Sequence, residues 1–323
     1  MKRREFITLL GGAAIWPLAA RAQQSRKLRR IGVLNPESGS LPPLLAFLDE
    51  LRLLGWRDQD NVLLDIRSAE GHYERVPKLA DELVRARVDV IYTLGPDATL
   101  ATAAATKTLP IVAVDLETDP VATGLVEKLS RPGRNLTGLF LDLPEISGKW
   151  LEFLGEIVPQ LSHVGVLGTA RINRAQFTAI EAVAATTKQS LRRLNVDDAR
   201  DFEAAFNTAA NERLQGIVVL PSPLVHHHLA RIAALAMERK LPTVFLFTQA
   251  VEAGGLIAYG PSVNDMSRRA ARLVTRILNG TQPAELPIER PTKFDLVVNL
   301  KTANALGLAI PPTLLGRADK VIE

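Results

Sequence analysis

Short apolar runs alternate along the chain with longer stretches whose apolar positions recur at helical spacing. IGVLN (31–35) is a run of strand formers, and PLLAFLDELRLLG behind it sets Leu44, Leu45, Leu48, Leu51 and Leu54 at helical intervals. The step repeats: NVLLDIRSA leads into YERVPKLADELVRAR, VDVIYTLG into DATLATAAATK, PIVAVDL into DPVATGLVEKL, and NLTGLFLDL closes the first half. A second round begins with ISGKWLEFLGEIVP. HVGVLG, a helix around Gln176 to Lys188, LRRLNV, a helix from Asp201, GIVVLP, a helix from Leu224 to Lys240 and PTVFLF follow. Strands this apolar are buried on both faces, as in a parallel sheet covered by helices.

Two such series predict two doubly wound, Rossmann-like α/β lobes, each with its own parallel sheet. The tail is too short for a third core: LIAYGP (256–261), a helix from Val263 to Asn279, and FDLVVNL (294–300) with a following helix. These elements are expected to return to the lobes already built, so that the chain crosses near 139, 258 and 295. That assigns residues 28–138 and 259–294 to an N-terminal lobe, and 139–258 and 295–323 to a C-terminal lobe. A multi-stranded hinge of this kind lets the lobes close on something held between them.

The N-terminal pattern is different. Lys2, Arg3 and Arg4 precede fifteen apolar residues from Phe6 to Ala20, and Ala20-Arg21-Ala22 forms a small-x-small cleavage site. Fifteen residues span only about 22 Å as a helix, short of a bilayer core, so an export signal is expected and not an anchor. Arg3-Arg4 followed by Glu5, Phe6 and Ile7 resembles the twin-arginine signal, and cleavage after Ala22 would release the protein into the periplasm.

Residues 1–22 carry most of the charge excess. Without them the formal charge falls from +4 to +1, and the remaining Lys and Arg are interspersed with carboxylates, which argues against a nucleic-acid surface. The chain has no cysteine, hence no disulfide and no lipobox thiol. The remaining 301 residues exceed what one core usually serves, which favours lobes of about 120 to 180 residues each.

Catalytic signatures are weak. IGVLNPESGS offers no GxGxxG turn after the first strand, and neither GxxxxGK[ST] nor GxSxG occurs. His226-His227-His228 reads as a helix-start or solvated cluster, because successive helical residues point about 100° apart and cannot all face one ion. Asp115, Glu117 and Asp119 sit at a strand end, where Asp and Asp-Pro shape turns; no metal and no cofactor is expected.

Ligands of parallel sheets bind outside the carboxyl ends of the strands. That rule selects Asn35, then Gly95, Pro96, Asp97 and Thr99, then Glu117, Asp119 and Val121 in the first lobe. In the second it selects Thr169, Asn173, Ser222, Phe247 and Gln249.

Several stretches resemble one family. ELRLLGWRDQDNVLLDIRSAEG, TLPIVAVDLETDPVATGLVEKLSRPGRNLTGL, SGKWLEFLGEIVP, EAGGLIAYGPS and PTKFDLVVNLKTANALGLAIPPTLLGRADKVIE are similar to the substrate-binding proteins of ABC transporters, in the family with tryptophan- and tyrosine-binding members. The resemblance implies type I periplasmic-binding-protein architecture, capture of a small molecule between the lobes, and delivery to a permease in the inner membrane. Two positions depart from the family pattern. Leu94-Gly95-Pro96-Asp97 stands where relatives often read Ser-Gly-Thr-Pro, losing a hydroxyl suited to a ligand carboxylate. Thr248-Gln249 replaces a frequent Arg-Glu pair, and a neutral Gln cannot pair with an ammonium group. The expectation is a monomeric, non-catalytic solute-binding protein for an amino acid or another small carboxylate. A periplasmic ligand sensor and an exported α/β enzyme are the alternatives.

Overall fold

A computed structural model describes residues 28–37, 42–141, 143–170 and 173–323. The leader and its cleavage point after Ala22 lie outside the described residues.

The first sheet follows the apolar runs. Strands β1 (Arg29–Asn35), β2 (Val62–Ser68), β3 (Val90–Leu94), β4 (Ile111–Asp115) and β5 (Leu136–Phe140) pair in parallel in the order β2-β1-β3-β4-β5. Helices α1 (Pro42–Leu53), α2 (Val76–Arg85, entered through a three-ten turn at Tyr73–Arg75) and α3 (Gly95–Ala105) connect them. Every residue of β3, β4 and β5 is buried, as their unbroken apolar runs require.

DPVATGLVEKL, expected to be helical, is instead a chain of turns between β4 and β5. Asp119 Oδ1 accepts from the backbone N–H groups of Val121 and Ala122 at 2.9 Å, an Asx turn that competes with helix, and Gly124 at φ +71° ends any helical path.

The second lobe contains α4 (Leu143–Ile157), β6 (His163–Gly168), α5 (Arg174–Thr187), β7 (Ser190–Asn195), α6 (Asp201–Asn211) and β8 (Gly216–Val219). It continues through α7 (Pro223–His227), α8 (Leu229–Glu238), β9 (Thr243–Phe245), α9 (Thr248–Glu252) and β10 (Ile257–Pro261). The single helix expected from Leu224 to Lys240 is broken at His228, whose φ of −124° and ψ of 20° leave the helical region. After α10 (Val263–Leu278), the strand β11 (Phe294–Asn299), α11 (Leu300–Leu306), α12 (Pro312–Leu315) and β12 (Lys320–Ile322) end the chain. The seven strands run β12-β11-β10-β9-β8-β6-β7, and only β10 and β11 pair antiparallel.

Helix α10 belongs to the first lobe. Arg272 Nε donates to Glu50 Oε1 of α1 at 2.8 Å, Trp56 Nε1 donates to Thr275 Oγ1 at 3.0 Å, and the buried Tyr92 hydroxyl donates to Ser267 Oγ at 2.9 Å. The chain therefore crosses between lobes after Phe140, after Pro261 and before Phe294, the first two slightly beyond the boundaries drawn at 138 and 258. The crossings are tied together: Phe140 N donates to Glu289 O at 3.0 Å, Glu289 N to Gly138 O at 2.9 Å, and Ser262 N to Lys293 O at 2.9 Å. Gly138, at φ +150°, is required here, because a Cβ at that position would meet Ala113 O at 2.1 Å. Trp150 of α4 is fully buried and anchors the hinge, donating through Nε1 to Tyr259 O at 2.8 Å.

Candidate functional site

The carboxyl ends of both sheets face one cleft, which encloses a cavity of about 110 Å³. Of the residues selected from sequence, Asn35, Gly95, Pro96, Asp97, Glu117, Phe247 and Gln249 line it. Glu37, Tyr73, His226 and His227 line it as well, with apolar surface from Leu94, Val114 and Leu116.

The remaining selected residues do structural work beside the cavity. Thr99 is fully buried, with its hydroxyl bonded to Gly95 O at 2.8 Å and Thr93 Oγ1 at 3.0 Å. Asp119 forms the turn described above, and Val121 is exposed. Thr169, Asn173 and Ser222 lace the ends of β6 and β8 together. Thr169 N donates to Asn173 Oδ1 at 2.8 Å, Asn173 Nδ2 donates to Pro221 O at 2.7 Å, and Ser222 Oγ caps α7 by accepting from Val225 N at 3.2 Å. A loop at a strand's carboxyl end thus presents some residues outward and spends others on holding itself.

Glu37 is the most constrained of the cavity residues. Its backbone N–H donates to Asn35 Oδ1 at 3.2 Å, and its carbonyl accepts from Asn35 Nδ2 at 3.2 Å and Ser68 Oγ at 2.6 Å. Its Oε1 accepts from the Tyr73 hydroxyl and lies 3.3 Å from His226 Nε2 of the opposite lobe. The His226 hydrogen bond is the main reason its carboxyl is held below the usual glutamate range. Burial opposes this and the Tyr73 bond adds to it. Burial pushes the Tyr73 phenol up, and the neighbouring carboxylates push it further.

A second bridge crosses the cleft beside the first. His227 Nε2 lies 3.5 Å from Asp97 Oδ2, and the His227 ring stacks on Tyr73 with centroids 3.5 Å apart and planes 28° from parallel. The solvated reading of the His cluster is therefore corrected for two of its members, which line the cavity. Because α7 is only five residues long and starts at the cleft, both His226 and His227 reach it, while His228 turns back against Phe202 at 5.6 Å. Among the described residues no group of three His, Cys, Asp or Glu is placed to hold a metal ion.

Glu117 differs from the other acids. Its Oε2 is buried without a hydrogen-bond partner, and desolvation, reinforced by Asp115 and Asp97, holds the carboxyl well above its ordinary range. Asp115 stands behind it, pushed up mainly by burial, with Oδ1 accepting from Glu117 N and Thr118 N at 3.0 Å.

The strand-end rule extends to Glu37, two residues past Asn35, and to Tyr73 in the loop after β2. His226 and His227 carried no such signal, since helical periodicity presumes a helix longer than α7.

Residues 44–322 match the profile of the family described as "ABC transporter substrate binding protein". The chain is 24% identical over 288 residues to a tyrosine-binding protein of Clostridioides difficile, covering 88% of this chain and 82% of that protein. It superposes with a TM-score of 0.81, at 25% identity, on an ABC domain from Streptococcus pneumonia in complex with L-Trp, covering 92% of this chain and all of that one. A ligand-free, open substrate binding protein with adhesive properties from Clostridium difficile gives a TM-score of 0.72 at 22% identity, covering 91% of this chain and 99% of that one. The two lobes with parallel sheets and a multi-stranded hinge are those of a type I periplasmic binding protein. The chain belongs to the family of ABC transporter substrate-binding proteins.

Proposed function

We propose that the protein captures a small organic ligand between its lobes in the periplasm and delivers it to the inner-membrane permease of an ABC importer. In this reading it acts as a monomer without catalysis, after removal of the leader at Ala22. The observation that carries the reading is the pair of bridges, Glu37 to His226 and Asp97 to His227, drawn across a cavity to which both sheets contribute. Partly exposed contacts of this kind are each worth about 0–1 kcal/mol and an aromatic stack roughly 0.5–1.5 kcal/mol, so closure is held by only a few kcal/mol. A ligand touching both walls has enough differential affinity to set that balance. The tyrosine-binding relative and the L-Trp complex support a ligand with an apolar body.

Solution scattering and melting curves of the mature protein against a broad metabolite library test this. Ligand-dependent compaction, with the compound recovered unchanged, is expected. Chemical conversion of the compound, or no compaction with any member, would refute it. Export is tested by replacing Arg3 and Arg4 with Lys, which should leave precursor in the cytoplasm.

A further inference from the structure

The acids and helix ends around the cavity specify more than a small apolar ligand. We infer that the cavity selects a ligand carrying a protonated nitrogen and no carboxylate, with Glu117 as the acid that holds the nitrogen. This rests on the reading of the cleft as the capture site.

The first ground is the sign of the lining. Glu37, Asp97 and Glu117 all line the cavity, and no Lys or Arg does so among the described residues. An entering carboxylate would meet three acids. The two imidazoles each place Nε2 against a first-lobe carboxylate, so neither offers that nitrogen to an entering carboxylate.

The second ground is the state of the helix ends, where an anion would ordinarily be held by free N–H groups and the positive end of the dipole. Helix α1 starts Pro42-Pro43, so its first two positions have no N–H, and Pro43 lines the cavity. Helix α3 starts Gly95-Pro96-Asp97, which deletes one donor and puts a carboxylate of the protein's own in the first turn. Helix α10, whose Val263 lines the cavity, carries Asp265 in its first turn. At each of these three ends the anion position is removed or already taken, and Ser222 and Pro223 occupy the start of α7. Among the described helix starts at the cavity, only that of the five-residue α9, after Phe247, carries neither proline nor acid in its first turn.

The third ground is that, among the described acids lining the cavity, Glu117 has a buried oxygen without a partner; Asp115 Oδ2 shares that state but stands behind the lining. Glu37 is satisfied by Tyr73 and His226, and Asp97 faces His227, but the buried Oε2 of Glu117 has nothing to bond. A buried acid without a partner is costly, and an ammonium or amidinium N–H supplies what it lacks. Burial favours the protonated form of Glu117, so pairing with a cation ionises it. The balance is simple: the cation enters with its proton, and the Glu117 proton leaves to solvent.

Matched triplets sharing one apolar body test the inference: tryptamine, L-tryptophan and indolepropionate; tyramine, L-tyrosine and para-hydroxyphenylpropionate; isoamylamine, L-leucine and isocaproate. At least one amine is expected to bind at least tenfold tighter than its amino acid, with no binding of any deaminated acid. Calorimetry in buffers of different ionisation enthalpy should show protons released on binding, in the direction set by the raised Glu117 carboxyl. Glu117→Gln should weaken the amine at least tenfold and abolish the proton release. The inference is overturned if an amino acid or acid binds as tightly as its amine, if no amine binds, or if Glu117→Gln keeps wild-type affinity. Compaction with L-tryptophan alone would sink this inference while leaving ligand capture standing. The triplet comparison uses the unaltered protein, so it decides the matter even if the variant fails to fold.

Discussion

The first lobe brings Glu37, Asp97 and Glu117 to the cleft, whereas the second brings His226, His227, Phe247 and Gln249. Both walls are built from the carboxyl ends of parallel strands, so backbone architecture does not account for the difference. What differs is how each lobe spends its loops. The first fixes Glu37 through Asn35 and Ser68 and turns its acids outward. The second spends Thr169, Asn173 and Ser222 on tying β6 to β8, and leaves a five-residue helix to carry two imidazoles across. One wall is acidic, with the Glu37 backbone held by hydrogen bonds. The other is short and aromatic, so closure depends on two imidazole–carboxylate contacts.

The largest effect is expected from removing the imidazole wall. His226→Ala combined with His227→Ala deletes both bridges and the Tyr73 stack, and should lower ligand affinity about a hundredfold, equivalent to about 2.7 kcal/mol. The radius of gyration of the unliganded protein should rise. Wild-type scattering and affinity would remove the second wall from the comparison.

Next is Glu117→Gln, read without ligand. A glutamate whose folded-state pKa is raised contributes stability that is fully present below its unfolded value and is lost as pH rises through the folded one. The amide should therefore melt roughly 2–4 °C higher at neutral pH, the shift given by about 1 kcal/mol in a domain of this size. The difference should vanish below the ordinary carboxylate range. Equal melting temperatures at all pH values would mean that Glu117 is not strained by burial.

Glu37 has the opposite sign. Its carboxyl is held low by His226, so its contribution is present above the ordinary glutamate range and lost as pH falls through its lowered value. Acid titration followed by scattering should show the lobes parting there, and Glu37→Gln should flatten that transition.

The smallest effect belongs to Thr99→Val. Its hydroxyl is bonded to Gly95 O and Thr93, so stability should fall by about 1 kcal/mol while ligand affinity changes less than twofold. A tenfold loss of affinity would place Thr99 at the ligand.

The two walls were legible to different degrees. Alternation of buried strands with helices is a long-range pattern, repeated often enough that the loss of one predicted helix after Asp119 does not disturb it. The strand-end rule locates a cleft because it follows from how parallel sheets are wound, and so it reaches Asp97, Glu117 and Phe247. It does not say which side chains of a loop face outward. Thr99 and Asn173 were selected by the same rule, yet their polar groups are consumed by neighbouring backbone. His226 and His227 were hidden by a length: periodicity assumes a helix of several turns, whereas here Ser222 and Pro223 begin one that ends at His227.

The bond from Trp56 to Thr275 joins residues 219 apart in sequence, and the one from Glu50 to Arg272 joins residues 222 apart. The ribosome therefore finishes the five strands of the first sheet long before it makes the helix that covers one of their faces. Until α10 emerges, the nascent lobe carries an uncovered apolar surface, and it must wait through synthesis of most of the second lobe. Completing such a lobe requires contacts far apart in sequence, which raises the loop-closure cost of folding above that of its local βα steps.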